Sequence, residues 1–136
     1  MAKFGDDFGK LILRMAIGGM MLFHGVQKLT HGIDFITGQL QAAHLPAMFG
    51  YGVYVGEIVG PILILLGLYA RAGGVFVAAD MVMALALTKA GGTFAVSPMS
   101  GGLAGELELL YMAGGLTIAL IGAGAFSVSR GKGPWN

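Results

Sequence analysis

Four long apolar stretches constrain this chain more than any other feature of its sequence. A helix needs about 20 mostly apolar residues to cross the hydrocarbon core of a bilayer, and each stretch is near that length. A chain of 136 residues is too small to bury this much apolar surface in water, so lipid is the expected solvent. We predict an all-α membrane protein, with one domain over residues 1–136 that folds as a bundle of four transmembrane helices. The predicted spans are about 11–28, 52–69, 72–89 and 103–128.

The amino-acid composition agrees with this prediction and excludes several functions. Charged residues make up 11% of the chain, against about 25% in soluble domains. The low charged fraction makes the lipid bilayer the expected surrounding. The formal net charge of +1 gives no indication of nucleic-acid binding. The chain has no cysteine, which excludes disulfides, thiol redox relays and thiolate metal ligands within it. Asp6 and Asp7 are unlike the cationic region of a secretory signal, so we expect the first span to be retained.

The lysines and arginines near the ends of the spans predict the orientation. Positive residues favour the cytoplasmic side of a membrane. Lys28 and Lys89 lie toward one side, called the outer side here, and the remaining basic residues lie toward the other. Both termini are then cytoplasmic, and so is the short connection between the second and third spans, which predicts an antiparallel hairpin. The basic residues on the cytoplasmic side are Lys3, Lys10, Arg14, Arg71, Arg130 and Lys132.

Glycine is frequent inside the predicted spans, and the chain has 25 glycines in all. Small residues let helices approach closely in lipid, where the hydrophobic effect does not drive their association. Gly56 and Gly60 have the four-residue spacing typical of such contacts. We interpret the glycines of the spans as helix-packing surfaces.

Polar and ionisable side chains recur in the outer half of all four spans. A charged side chain at the centre of a bilayer costs about 2.5–3.5 kcal/mol on insertion scales, so such a group needs a partner, water or a function. The set contains lysines and carboxylates, so its charges can nearly neutralise one another. We predict that it forms a polar ligand site. Its members are His24, Gln27, Lys28, Glu57, Lys89, Glu106 and Glu108.

Helical geometry orients some of these side chains. His24 and Lys28 are four residues apart and share a face, whereas Gln27 lies about 100° round the helix from Lys28. Glu106 and Glu108 are about 200° apart, so one should face the bundle and the other a loop or the interface. Glu106 is nearer the end of its span, where a carboxylate also interacts favourably with the helix dipole.

Pro61 lies four residues after Glu57 and predicts a break in the second span. Proline removes the hydrogen bond to the carbonyl four residues earlier and tends to kink a helix. Two interpretations are open. Lys28 or a water donates to the freed carbonyl and a polar notch forms beside Glu57, or Pro61 produces a structural kink only.

A second polar pair is predicted deeper in the bundle. Asp80 lies near the middle of the third span, and Arg14 lies in the first span with a side chain long enough to reach it. Buried charges are usually paired, so we interpret Arg14 and Asp80 as a buried ion pair that holds the bundle together.

The three histidines have no metal-ligand spacing, so no metal site is predicted. His31 and His44 lie in the first long loop, predicted over residues 29–51, where solvation is the expected state. His24 lies within a span, where it either contacts a quinone or a haem or packs with a hydrogen bond. Quinone is the cofactor considered first, because the chain lacks a pair of histidines with the spacing that haem ligands need.

Three stretches resemble a known family: LILRMAIGGMMLFHGVQKL at 11–29, GEIVGPILILLGLYARAGG at 56–74 and GELELLYMAGGLTIALIGAGAFSVS at 105–129. They resemble DoxX, a group of small bacterial inner-membrane proteins with four spans. The resemblance implies a multi-pass protein of the bacterial inner membrane and a setting of quinone-linked oxidation. In this chain Ser129 stands where the family often has an aspartate. The matching polar positions are Arg14, His24, Lys28, Glu57, Arg71 and Glu106.

The first functional hypothesis is a redox-associated membrane subunit that binds a quinone headgroup or another lipophilic cofactor at the outer polar site. Lys28 or His24 would donate to a quinone carbonyl, and Glu57 or Glu106 would relay protons. Electrons would then be carried by a bound cofactor or by a protein partner in a membrane redox complex.

Two further hypotheses stay open, and the sequence does not decide whether the protein is an enzyme. A small transporter or permeation subunit would use the intramembrane charges as a substrate path. Four spans enclose little room, so transport would need the homo-oligomer that we expect. A scaffold or assembly protein would use the same charges only to fix helix register and partners.

Overall fold

A computed structural model describes residues 2–89 and 91–136, and its regular structure over these residues is helical, apart from one isolated bridge between Val96 and Leu103. This confirms the predicted all-α class. Within these described ranges there are five α-helices: α1 Ala2–His31, α2 Asp34–Ala42, α3 Gly60–Leu66, α4 Ala70–Thr88 and α5 Glu106–Ile121.

Among the described residues, three helical segments are long and apolar enough to cross a membrane: Lys3–His31, Ala47–Leu66 and Ala70–Thr88. Helix α5 has 16 residues, which is about 24 Å at 1.5 Å per residue, below the length of a typical span. It ends at Ile121, because Gly122 has a φ of 76° that does not continue a helix, and it is therefore shorter than the span predicted to reach about residue 128. The fourth transmembrane span remains a prediction.

The first long loop was predicted without structure of its own, and that prediction is wrong. Helix α1 continues to His31, and the segment that follows contains α2 and a 3₁₀ helix at Ala47–Gly52. Its glycines, histidines and proline suggested a loop, but its apolar residues have a packing role. Leu40 of α2 is 1% exposed, and Ile33 just before α2 is also buried.

Helices α3 and α4 form an antiparallel hairpin. Gly67 and Tyr69 both take left-handed conformations, with φ of 67° and 52°, and reverse the chain between Leu66 and Ala70. The predicted turn at residues 70–71 therefore lies slightly earlier, and Arg71 belongs to the first turn of α4.

Glycines bring the helices of the bundle together. A Cβ on Gly60 would lie 3.0 Å from the carbonyl oxygen of Gly73, and one on Gly74 would overlap the carbonyl of Gly115. Helix α4 therefore packs backbone to backbone against α3 on one side and α5 on the other. The fully buried core between these helices and α1 includes Met21, Ile64, Val77 and Ile118.

Candidate functional site

The centre of the site is an ion pair between Lys28 of α1 and Glu57. The Lys28 ammonium donates to both carboxylate oxygens, and Glu57 is 4% exposed. Gly25 makes this contact possible, because a Cβ at that position would overlap the backbone carbonyl of Glu57. The glycine lets α1 approach the Glu57 backbone, and Lys28, about one helical turn further on, then reaches the carboxylate.

Glu57 lies in a π-helical turn, Val55–Val59, that directly precedes α3, whose second residue is Pro61. The N–H of Gly60 donates to the carbonyl of Val55, five residues back. Such turns are rare and are frequent at functional sites. Lys28 was one donor suggested for the carbonyl that Pro61 frees, but its ammonium binds the Glu57 carboxylate instead. Cavities border Glu57, so the geometry favours the interpretation as a notch.

A cavity of about 360 Å³ lies beside the ion pair and is lined by parts of α1, α2, the 3₁₀ helix, the π turn and α4. Its walls are mostly apolar. Lys28, Glu57 and Asp80 form the charged region of this lining, and Thr88 and Gln39 are its uncharged polar residues. The apolar walls include Phe35, Leu40, Phe49, Phe76, Met83 and Leu87.

The predicted ion pair between Arg14 and Asp80 is wrong. Asp80 packs against Gly56, where a Cβ would overlap the aspartate side chain, and it lines the larger cavity. Over residues 2–89 and 91–136, Oδ2 of Asp80 is buried and has no hydrogen-bond partner. Asp80 is near the middle of α4, and depth alone did not show which neighbouring helix it faces.

Arg14 instead forms hydrogen bonds with backbone carbonyls at the end of α3 and after α5. Its guanidinium donates to the carbonyls of Ile64 at 2.7 Å and Leu65 at 2.8 Å, in the last turn of α3. It also donates to Ala123 at 2.9 Å and Phe126 at 2.8 Å, after α5. The last carbonyls of a helix have no intrahelical donors, and an arginine supplies several donors in a fixed geometry. Arg14 is 1% exposed and has a structural role.

A second cavity, of about 160 Å³, lies on another side of the ion pair. It is lined by His24, Glu108 and Tyr111 together with Lys28 and Glu57. The rings of His24 and Tyr111 meet edge to face, with centroids 5.8 Å apart. The Lys28–Glu57 pair therefore borders both cavities.

Lys89 and Glu108 form a second ion pair at 3.0 Å. Lys89 also donates to the carbonyl of Ala104 in the connection before α5. The two lysines predicted on the outer side thus each hold a carboxylate, but Lys89 borders neither cavity.

Three of the residues singled out from the sequence lie away from both cavities. Gln27 is exposed, and its backbone carbonyl accepts from the Thr30 hydroxyl at 3.0 Å. Glu106 is exposed in the first turn of α5, about 200° round the helix from Glu108. Arg71 donates to the carbonyls of Ala119 and Leu120 at 2.9 and 2.6 Å, and so satisfies the last turn of α5.

Sequence reasoning missed Asp80 and Thr88 as members of the site. Asp80, Ala84 and Thr88 follow one another at four-residue intervals, so they share one face of α4. All three line the larger cavity. This four-residue spacing was present in the sequence and could have identified Asp80 and Thr88 as residues of one helix face. Within the described part of the chain, no group of three or more potential metal ligands occurs.

Apolar helices of spanning length around a mostly apolar cavity, with charged side chains in its wall, define a helical membrane protein. The family model for DoxX matches residues 9–90. A protein of Haemophilus influenzae, described only as uncharacterized, is 35% identical over 119 residues, which cover 87% of this chain and 86% of that protein. The chain belongs to the DoxX family, which confirms the resemblance. No solved structure gives a significant match.

Proposed function

We propose that this protein is a four-span protein of the bacterial inner membrane with both termini in the cytoplasm. In this arrangement α5 is the fourth span. The ends of the helices carry the charge bias described above, and Arg14 and Arg71 lie at the cytoplasmic end. The cavities then lie in the outer half of the membrane. Cysteine accessibility tests this topology directly, because the natural chain has no cysteine and a single engineered one is labelled without background.

Within that frame we propose a redox-associated subunit that binds a quinone headgroup in the larger cavity. The observation that carries this proposal is the polar region of Lys28, Glu57 and Asp80 in an otherwise apolar cavity of about 360 Å³. Ligand cavities in proteins commonly measure about 300–1,000 Å³ and combine apolar walls with a few polar groups. A substituted quinone ring has the same combination of an apolar body and two polar oxygens.

The residues of the polar region supply binding and proton transfer. Lys28 has three ammonium N–H groups and donates to two oxygens of Glu57, so one N–H is left for a ligand carbonyl. Glu57 borders both cavities and can pass a proton from the larger to the smaller one. A bound quinone supplies the electron chemistry, and a protein partner exchanges the electrons with it. That partner, and a homo-oligomer of this chain, are parts of the proposal.

The test is a search for bound quinone in protein purified in mild detergent. Lipid-soluble molecules are extracted and quantified by mass spectrometry, for the wild type and for Ala79→Phe. Ala79 lines the larger cavity, so phenylalanine there should fill it without removing a charge. Ala86→Phe is the matched control, because Ala86 is an exposed residue of the same helix that lines neither cavity.

We expect about one quinone per chain in the wild type and in Ala86→Phe, and its loss in Ala79→Phe. Bulk lipid alone in all three proteins would contradict the quinone proposal. The position of the Lys28–Glu57 pair between two cavities favours a transporter as the second candidate, which predicts solute flux in liposomes. If the protein contains no quinone and gives no solute flux, the scaffold hypothesis remains.

A further inference from the structure

The larger cavity contains one polar atom that the protein itself does not satisfy. In the described part of the chain, Oδ2 of Asp80 is buried and accepts no hydrogen bond. Lys28, the cation among the lining residues, donates to both oxygens of Glu57 and not to Asp80. Buried polar atoms in proteins are nearly always paired, and leaving one unpaired is costly. The free oxygen therefore indicates which chemical group a ligand places there.

The hydrogen-bonding capacity of Asp80 distinguishes two kinds of ligand oxygen. An ionised carboxylate only accepts hydrogen bonds, whereas a protonated carboxyl also donates one. A hydroxyl group donates and accepts, so it pairs with Asp80 in either protonation state. A carbonyl oxygen only accepts, so it pairs with Asp80 only when the aspartate carries a proton.

The charges that face Asp80 come from two neighbouring elements. Lys28 projects from α1 and Glu57 from the π turn, and both line the same cavity as Asp80. The lining residues of α2 and of the 3₁₀ helix are uncharged, with Gln39 as the polar one. Lys28 and Glu57 neutralise each other, so neither supplies Asp80 with a partner of its own.

We propose that the larger cavity selects the hydroquinone form of its ligand over the quinone form, and that Asp80 makes the selection. The inference rests on the proposed function, because it assumes a quinone-type ring in the cavity. The hydroxyl of a hydroquinone satisfies Oδ2 directly. The remaining N–H of Lys28 can serve one carbonyl of the quinone. The other carbonyl, placed against an ionised Asp80, faces a second acceptor, and neither of these two oxygens then has a donor.

The experiment compares the affinity of the full chain in lipid nanodiscs for tetramethylhydroquinone and for tetramethylquinone. Equilibrium dialysis is carried out without oxygen, and empty nanodiscs correct for partition into lipid. Asp80→Asn is the informative variant, because its amide has both donor and acceptor groups and keeps the side-chain shape. Asp34→Asn is the matched control, since Asp34 is exposed on α2 and lines neither cavity.

In the wild type and in Asp34→Asn at alkaline pH, where Asp80 is ionised, we expect the hydroquinone to bind about tenfold more tightly or better, the effect of one unsatisfied buried polar group. In Asp80→Asn the two forms should bind about equally. Equal binding of both forms by the wild type, or tighter binding of the quinone, would overturn the inference and leave the proposed function intact. Failure of both forms to bind the wild type would contradict the proposed function itself.

A measurement on the wild type alone covers the case in which Asp80→Asn does not fold. Raising the pH removes a proton from Asp80, so the affinity for the quinone should fall while the affinity for the hydroquinone stays constant. A quinone affinity that does not change between acidic and alkaline pH, together with no preference for the hydroquinone, would count against Asp80 as the selecting residue.

Discussion

The two ends of the helix bundle use buried charges in opposite ways. At the end that contains Arg14, the arginines donate to backbone carbonyls at the ends of helices. At the end that contains Lys28, the lysines pair with carboxylates, and the larger cavity remains beside one of the pairs. An arginine that donates to several backbone carbonyls uses its N–H groups within the protein and ties the helix ends together. A lysine paired with a carboxylate keeps hydrogen-bonding groups that a ligand can use.

The segment that follows α5 explains why the Arg14 end is closed. The N–H of Val128 donates to the carbonyl of Leu66 at 3.0 Å, and the N–H of Ala125 donates to Asp7 at 2.9 Å. These bonds tie the segment to the last turn of α3 and to the start of α1. At the Lys28 end, α2 covers the gap between helices without filling it, and the larger cavity results.

The largest expected effect is at the closed end. Arg14→Met should remove the side-chain donor from four buried or partly buried carbonyls, and each unsatisfied polar group costs about 1–3 kcal/mol. We expect the free energy of unfolding to fall by about 4 kcal/mol or more, measured by denaturant titration in detergent micelles. Arg130→Met, at an exposed arginine of the same end, should change it by less than about 0.5 kcal/mol. Similar small losses in both variants would show that the carbonyl bonds do not close this end.

An intermediate effect is expected at the Lys28–Glu57 pair. Lys28→Met leaves the Glu57 carboxylate buried without its cation, and breaking a buried pair in this way costs about 3–5 kcal/mol. The value should lie near 3 kcal/mol here, because Lys28 is partly exposed. The double variant Lys28→Met with Glu57→Gln should recover most of that loss, since no unpaired charge remains.

The double-mutant cycle gives the coupling energy of the pair directly. Lys89→Met and Glu108→Gln provide the matched cycle at the second, more exposed pair, where the coupling should be smaller. Equal coupling energies in the two cycles would show that the burial of the Lys28–Glu57 pair does not make it stronger than the Lys89–Glu108 pair.

The smallest expected effect tests how the ion pair is positioned. Gly25→Ala puts a methyl group against the Glu57 carbonyl, so α1 must shift, at a cost of about 1–3 kcal/mol. Gly19→Ala has no heavy atom within 4 Å of the new methyl and should be neutral or slightly stabilising. Gly25→Ala should also weaken the proposed quinone binding, because Lys28 moves with α1. Identical stability and binding in the two variants would mean that the close approach at Gly25 is not required.

Much of the fold was readable from the sequence, and the limits of the prediction have physical causes. The third span was predicted at 72–89 and found at Ala70–Thr88, because a continuous apolar run has few alternatives. The fourth was predicted to reach about residue 128, but the helix ends at Ile121 because Gly122 has a positive φ. Hydropathy contains no information about this backbone conformation. Helix α2 was missed because its length is 9 residues and its stability comes from packing.

The candidate site was predicted in part. Lys28 and Glu57 stood out because charges are expensive in apolar segments, whatever the packing. Gln27 and Glu106 stood out for the same reason, yet they are exposed and border neither cavity. Depth along a helix does not determine which neighbour a side chain faces. Asp80 was therefore given the wrong partner.

The sequence by itself determined that this chain is helical, rich in apolar segments of spanning length, and equipped with buried charges that need partners. These properties follow from composition and periodicity, which act locally along the chain. Only the tertiary structure decided which partners the charges take. The approach of α1 at Gly25 selects Glu57 for Lys28, and the carbonyls at the end of α3 select Arg14. Asp80 is left with a free oxygen in a cavity, because pairing depends on distances between helices that no local pattern contains.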